Sequence, residues 1–310
     1  MQPEQTRKIQ DAVLFTGAIL LTTVFGLYMP LVAFFWPVPV ALSVLRQGGR
    51  NTIVGVIVAA LIAGLIWDNQ VFLAVILVSG LVGLIMGGAI AEGFNGRKIL
   101  YYSITAAVVS QALFLAANQL VLGIDYWALI GEVMREAAAF YEDPALTEAI
   151  PEVIEVFKAI YPTFLFISGA LTAILSLIAV RSFAVRLKID LPDFPRLSYW
   201  RFDFRLSIAL FLLLFLFLIS PNIIFLNLFL GIVLLFCGGG LSLIGYWVGG
   251  KLDRRSRRIL LMAVLILLIF PVMGAIFMGF FVLFVLPLAM VLGLLDSWRD
   301  LRKLNRVGGG

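Results

Sequence analysis

KIDLPDFPRLSYWRFDFR, running from Lys188 to Arg205, separates two long apolar blocks, and its reading decides the fold. Pro192 and Pro195 forbid a continuous helix through it. Lys188, Arg196, Arg201 and Arg205 mark it as a cytoplasmic connector, because loops on that side of a membrane collect Lys and Arg. The block before it reads as six membrane spans and the block after it as four, so its sidedness orients everything else.

The composition supports that reading. The 310 residues are 62% hydrophobic and 13% charged, and the mean hydropathy is +1.08. Soluble domains carry roughly a quarter charged residues. Several uncharged runs reach the roughly 20 residues that a helix needs to cross a bilayer, which favours helices over the short alternating strands of a barrel. The expected fold is an all-α polytopic transmembrane helix bundle of about ten spans. There is no histidine and one cysteine, Cys237. A zinc centre, a histidine-based triad and an intrachain disulfide are therefore excluded. No cofactor and no enzymatic role are expected.

Working outward, residues 1–187 read as a six-span membrane core. Its spans are Ala12 to Met29, a short Leu31 to Leu45 interrupted by Pro37 and Pro39, Thr52 to Trp67, Val71 to Ala91, Ile99 to Leu122, and Tyr161 to Val180. Residues 123–158 break the pattern with eight acidic side chains against Arg135 and Lys158. Trp127, Ile130, Met134, Ala138 and Tyr141 recur at helical spacing there, and Asp143 with Pro144 reads as a cap and first position. One or two amphipathic helices lying over the membrane face are expected. After the connector at 188–205, residues 206–310 read as a four-span bundle with a basic tail. Ser220, Pro221 and Asn222 turn spans seven and eight, and Pro271 to Gly274 reverses spans nine and ten.

Charge tests this topology. With the N-terminus in the cytoplasm and the spans alternating, every one of the 23 Lys and Arg except Arg135 and Lys158 falls inside. Both termini are then cytoplasmic. The basic balance speaks to lipid headgroups rather than to nucleic acid.

Intramembrane polar groups are costly and so are the first candidates for function. Ser103, Ser110, Gln111, Asn118 and Gln119 run along the fifth span. They read either as the polar wall of a small-molecule site, with Gln111, Asn118 and Gln119 as ligand-binding residues, or as hydrogen-bond glue between helices. Asp68 and Asn69, at the turn after Trp67, read as the rim of the same site or as a solvated turn. Small-residue stripes are close-packing seams: Gly55, Ala59 and Ala63; Gly80, Gly83 and Gly87; Gly238, Ser242, Gly245 and Gly249. Ala18, Thr22 and Gly26 form another, which is also a candidate for docking a partner subunit.

Three features carry a family resemblance: the P-x-P of the second span with Arg46, Gly48 and Arg50; the connector LPDFPRLSYWRF; and the ending GLLDSWRDLRK with Asp296, Trp298, Asp300 and Arg302. Together they resemble the YybS-like family of bacterial polytopic membrane proteins, the DUF2232 type. At fold level that family is similar to the substrate-capturing S components of energy-coupling-factor transporters. The resemblance implies a six-span core that binds a small molecule from outside, with the acidic segment as its lid. It also implies partner subunits with paired ATPases, docked through the first helix at Ala18, Thr22 and Gly26. The competing reading is a non-transporting membrane scaffold or regulator of envelope machinery.

Overall fold

The computed structural model describes residues 3–140, 144–187, 189, 191, 202–249, 281–299 and 301–302. Among these residues there is no strand, and six helices are long and apolar enough to cross a membrane, with two shorter apolar helices besides. The all-α polytopic reading holds. The chain divides into two compact units, Met1–Phe194 and Pro195–Gly310. Most of the connector, the loop after Gly249, the ninth span with its Pro271 to Gly274 reversal, and the basic tail beyond Arg302 lie outside the described residues.

In the first unit, α1 (Pro3–Tyr28) is followed by the broken second span, made of α2 (Pro30–Ala33) and α3 (Pro37–Gln47). Pro37 and Pro39 cause the break. They sit in the first turn of α3, where a missing N–H is tolerated, and they cannot continue the bonding of α2. Between the two helices the backbone tightens: Phe35 N–H donates to Val32 O at 2.9 Å and Val38 N–H to Phe35 O at 3.0 Å. That three-residue spacing takes neighbouring carbonyls out of α-helical register. Lipid cannot satisfy them, so the bundle must.

Neighbouring helices supply the donors. Ser176 Oγ donates to Phe34 O at 2.7 Å, and Ser79 Oγ donates to Trp36 O at 2.8 Å. The Trp36 indole N–H donates to Thr22 O at 2.8 Å. Every residue from Trp36 to Val44 is buried, which makes α3 the central element of the unit. It is held at backbone range: a methyl group at Gly83 would lie 2.5 Å from Val40 Cβ and 2.7 Å from Pro37 O, and one at Gly87 would lie 2.9 Å from Ala41 O.

The rest of the unit wraps this centre. Helix α4 (Gly49–Ile66) leads to a fourth span built from α5 (Asn69–Ala74), a π-helical segment (Val75–Leu81) and α6 (Val82–Ala91). The widened π turn carries both Ser79 and the Leu77 carbonyl, which accepts from Ser110 Oγ at 2.5 Å. Helix α7 (Gly96–Val121) ends at Gly123, whose φ of 68° lets the chain turn so that Ile124 N–H caps Asn118 O at 3.1 Å. Helix α8 (Tyr126–Phe140) and α9 (Pro144–Arg186) follow.

The acidic segment departs from expectation. It holds one separate helix, α8; the second half starts at Pro144 but runs unbroken into the sixth span. Helix α9 has 43 residues, roughly 65 Å at 1.5 Å per residue, about twice the hydrocarbon core. Pro151 and Pro162 lie inside it, so proline did not terminate the helix there. Helix α8 packs back along its first half, with Gly131 against Ile154 and the Trp127 ring against Tyr161. The two form a hairpin, and the second half of the acidic segment is continuous with the helix of span six. Asp143 and Tyr141 lie outside the described residues.

The second unit contains α10 (Phe204–Ile219), α11 (Ile223–Gly249) and, after a π-helical segment (Phe281–Val285), α12 (Leu286–Arg299). The turn at Ser220 to Asn222 falls where expected, with the Asn222 side chain accepting from Ile224 N–H at 2.8 Å. The glycine seam is a different one from that expected. Gly240 packs on the Ala289 carbonyl and Gly293 on the Phe236 carbonyl, whereas Gly238 and Gly245 face open space. Four successive small residues, Cys237 to Gly240, leave the contact face ambiguous in sequence.

Beyond α12 the chain folds back to close a polar corner. Asp296 and Arg302 are 2% and 4% exposed. Arg302 Nε lies 3.1 Å from Asp296 Oδ2, while its terminal nitrogens donate to Ser242 Oγ and Gly239 O, both at 3.0 Å. Asp296 Oδ1 also accepts from Leu301 N–H at 3.0 Å, and Trp298 Nε1 donates to Ser207 Oγ at 2.7 Å. These bonds explain why the ending combines Asp296, Trp298 and Arg302.

Candidate ligand site at the acidic end of the first unit

The helix termini of the first unit carry opposite charge. Arg46, Arg50, Arg97, Lys98, Arg181 and Arg186 gather at one end, where Arg46 pairs with Asp11 at 3.3 Å. Asp68, Asp125 and the α8–α9 hairpin occupy the other.

Two short turns at the acidic end are fixed by aspartate. Asp68 is the cap of α5, its Oδ1 accepting from Val71 N–H at 2.8 Å. Asp125 does the same for α8, accepting from Trp127 N–H at 2.9 Å and Ala128 N–H at 3.2 Å. Such caps satisfy helix-end donors and place a negative charge at the positive end of the helix dipole. Next to them stand three half-buried aromatic residues, Tyr126, Trp127 and Tyr161. The Trp127 and Tyr161 rings meet edge to face, with centroids 5.1 Å apart and planes at 82°. Burial pushes the Tyr126 phenol above its ordinary pKa, and the nearby Asp68 charge pushes it further.

Asn118 lies beneath this turn, near the end of α7, and is 0% exposed. Its Nδ2 donates to Phe114 O at 2.7 Å. Its Oδ1 is buried and has no hydrogen-bond donor among the described residues. An unanswered buried acceptor costs about 1–3 kcal/mol, and native structures contain few of them.

The other sequence candidates fall on both sides of this site. At about 100° per residue, Gln111 lies within about 20° of Asn118 around α7, whereas Gln119 is turned well away. Gln111 is half-buried, and Gln119 and Asn69 are exposed. Ser103 and Ser110 are spent internally, on Ile99 O and Leu77 O. The stripe read as partner-docking is partly closed by the chain itself. The Trp36 ring covers Gly26, which has no room for a side chain, and bonds to the Thr22 carbonyl. Ala18 and Thr22 remain half-buried.

Sequence reasoning missed Tyr126, Tyr161 and Asp125 as site members. The cap spacing of Asp125 ahead of an apolar periodic run was a usable signal, but the approach of Tyr161 to Trp127 depends on the hairpin.

Residues 13–297 match the model of a family described as Predicted membrane protein (DUF2232). The chain belongs to that family. The match spans both units, from the first helix to Ser297, and so includes the broken second span, the acidic end and most of the α12 corner. No curated protein and no solved structure matches the chain. Membership of DUF2232 with several apolar helices makes this a multi-pass membrane protein.

Proposed function

We propose that this DUF2232 protein is a small-molecule transport component of the bacterial cytoplasmic membrane, acting by binding rather than by chemistry. It captures its ligand at the acidic end of the first unit, as an S component does. The observation that carries the reading is the buried, unanswered Asn118 Oδ1, beneath the turn that leads to Tyr126 and Trp127, with Gln111 two turns away on the same face of α7. A ligand that donates a hydrogen bond to this oxygen removes a cost the folded protein otherwise bears. Asp68 stiffens the rim through its cap, and Asn69 and Gln119 lie at the exposed edge. Both termini are cytoplasmic, and partner subunits with ATPases dock along the part of α1 near Ala18 that Trp36 leaves uncovered.

The experiment is native mass spectrometry of the full chain released gently from its own membranes. The wild type is expected to carry a bound small molecule, and Gln111→Leu with Asn118→Leu to lose it while remaining folded. Wild type and variant with identical spectra would overturn the assignment.

A scaffold reading rests on a different observation. The α8–α9 hairpin exposes apolar side chains, with Val133 at 64% and Phe140 at 84%. Recovery of the chain with envelope proteins and without a bound small molecule would favour it.

A further inference from the structure

The surroundings of Asn118 also indicate what kind of molecule would bind there, on the reading that this site captures one. We propose that the ligand is an uncharged, largely apolar molecule that presents an N–H or O–H donor to Asn118 Oδ1.

Asn118 has one function left to offer. Its Nδ2 is committed to Phe114 O at 2.7 Å, within its own helix, and this bond fixes which way the amide points. What remains is a buried acceptor with no donor among the described residues. A carbonyl, ether or carboxylate brought to that oxygen would set two acceptors face to face. Only a molecule carrying a donor removes the cost of the unmet oxygen.

The helices around it ask for no charge. Helix α7 packs against α5, the π-helical segment, α6 and α9. The first three contain no charged residue, and α9 has none from Tyr161 to Val180, the stretch whose Gly169 lies against Val108 of α7. On α7 itself the charges are Arg97 and Lys98, in its first turn at the far end from Asn118. Asp68 and Asp125 are exposed and hold backbone N–H groups of their own turns. An ion carried in beside Asn118 would lose its hydration without gaining a partner, which is costly.

A trapped water would also answer the oxygen, but buried waters are held by about two to four polar groups. Among the described residues of this unit, no other buried side-chain nitrogen or oxygen is left unanswered. The neighbouring hydroxyls of α7, Ser103 and Ser110, are already spent on Ile99 O and Leu77 O. One unmet acceptor in an otherwise satisfied, charge-free setting fits a donor carried on an apolar body.

The test uses the full-length protein in a maltoside detergent, released gently from its own membranes. Molecules freed by denaturing the wild type and Asn118→Leu are compared by accurate mass, and exchangeable protons are counted by the mass gained in deuterated solvent. The molecule lost from Asn118→Leu is expected to gain mass in that solvent and to carry no group ionised at neutral pH. Cyclohexanol is the applied probe, with methoxycyclohexane as its donor-blocked form and cyclohexylammonium chloride as its charged form. Cyclohexanol is expected to raise the melting temperature of the wild type saturably and to leave that of Asn118→Leu unmoved, and the other two are expected to raise neither.

An Asn118-dependent molecule that is ionised at neutral pH, or that has no exchangeable proton, would overturn this ligand class while leaving the binding site standing. A response to methoxycyclohexane or cyclohexylammonium equal to that of cyclohexanol would overturn it too. If nothing co-purifies in an Asn118-dependent way and no probe acts, the binding reading itself falls.

Discussion

The break in the second span and the acidic end of the same unit treat buried polar groups in opposite ways. At the break, proline takes carbonyls out of register, and two of them are met by side chains from other helices. Phe34 O is met by Ser176, Trp36 O by Ser79, and the Trp36 indole finds Thr22 O. At the acidic end Asn118 is equally buried, yet its side-chain oxygen is left without a donor among the described residues. A chain that places serines 43 and 142 residues away to close one site has the means to close the other. The open acceptor therefore marks a different role. The break holds the bundle together, whereas the acidic end is where we propose that a ligand binds.

The largest expected effect sharpens the closed side of this comparison in the second unit. Arg302→Met leaves Asp296 buried without its cation and is expected to cost about 3–5 kcal/mol, read as a lowered melting temperature in detergent. A melting temperature equal to wild type would mean that the corner is not a structural lock. Next come Ser79→Ala and Ser176→Ala, each leaving a buried carbonyl without its side-chain donor and each expected to cost about 1–3 kcal/mol. Unchanged melting in both would erase the contrast between the break and the acidic end.

How far the sequence reveals this architecture depends on the range of each interaction. Hydropathy and proline locate the spans and the break at Pro37 and Pro39, because both act within one turn of helix. Cap chemistry is similarly local, which is why Asp68 at its turn and the reversal at Ser220 to Asn222 are readable. Ser176 carries no mark of its role in the linear chain, since its partner is 142 residues away. The continuity of α9 was masked by Pro151 and Pro162, which a long packed helix tolerates. The lid is what the family resemblance implies for the acidic segment, and net charge alone reveals solvation without direction. Asn118 was legible as an intramembrane amide, but its unanswered oxygen was not.

The smallest expected effect concerns pH. Tyr126 ionises above the ordinary tyrosine value of 10.0, chiefly through burial and then through Asp68. A raised pKa favours the protonated folded form, so this contribution to stability is complete below pH 10 and is lost as pH rises through the folded value. Asp68→Asn is expected to bring the phenol back part of the way toward 10, with burial retaining the rest. Ultraviolet titration referenced to Tyr126→Phe reads this shift, and an unmoved titration would separate Asp68 from the aromatic cluster.

The most direct test of the account is to measure Asn118→Leu for stability and for small-molecule capture in the same preparation. The substitution removes an unanswered buried acceptor, so the melting temperature is expected to stay level or rise while the co-purifying small molecule disappears. A lowered melting temperature with capture intact would show Asn118 to be structural glue and would contradict the binding role of the acidic end.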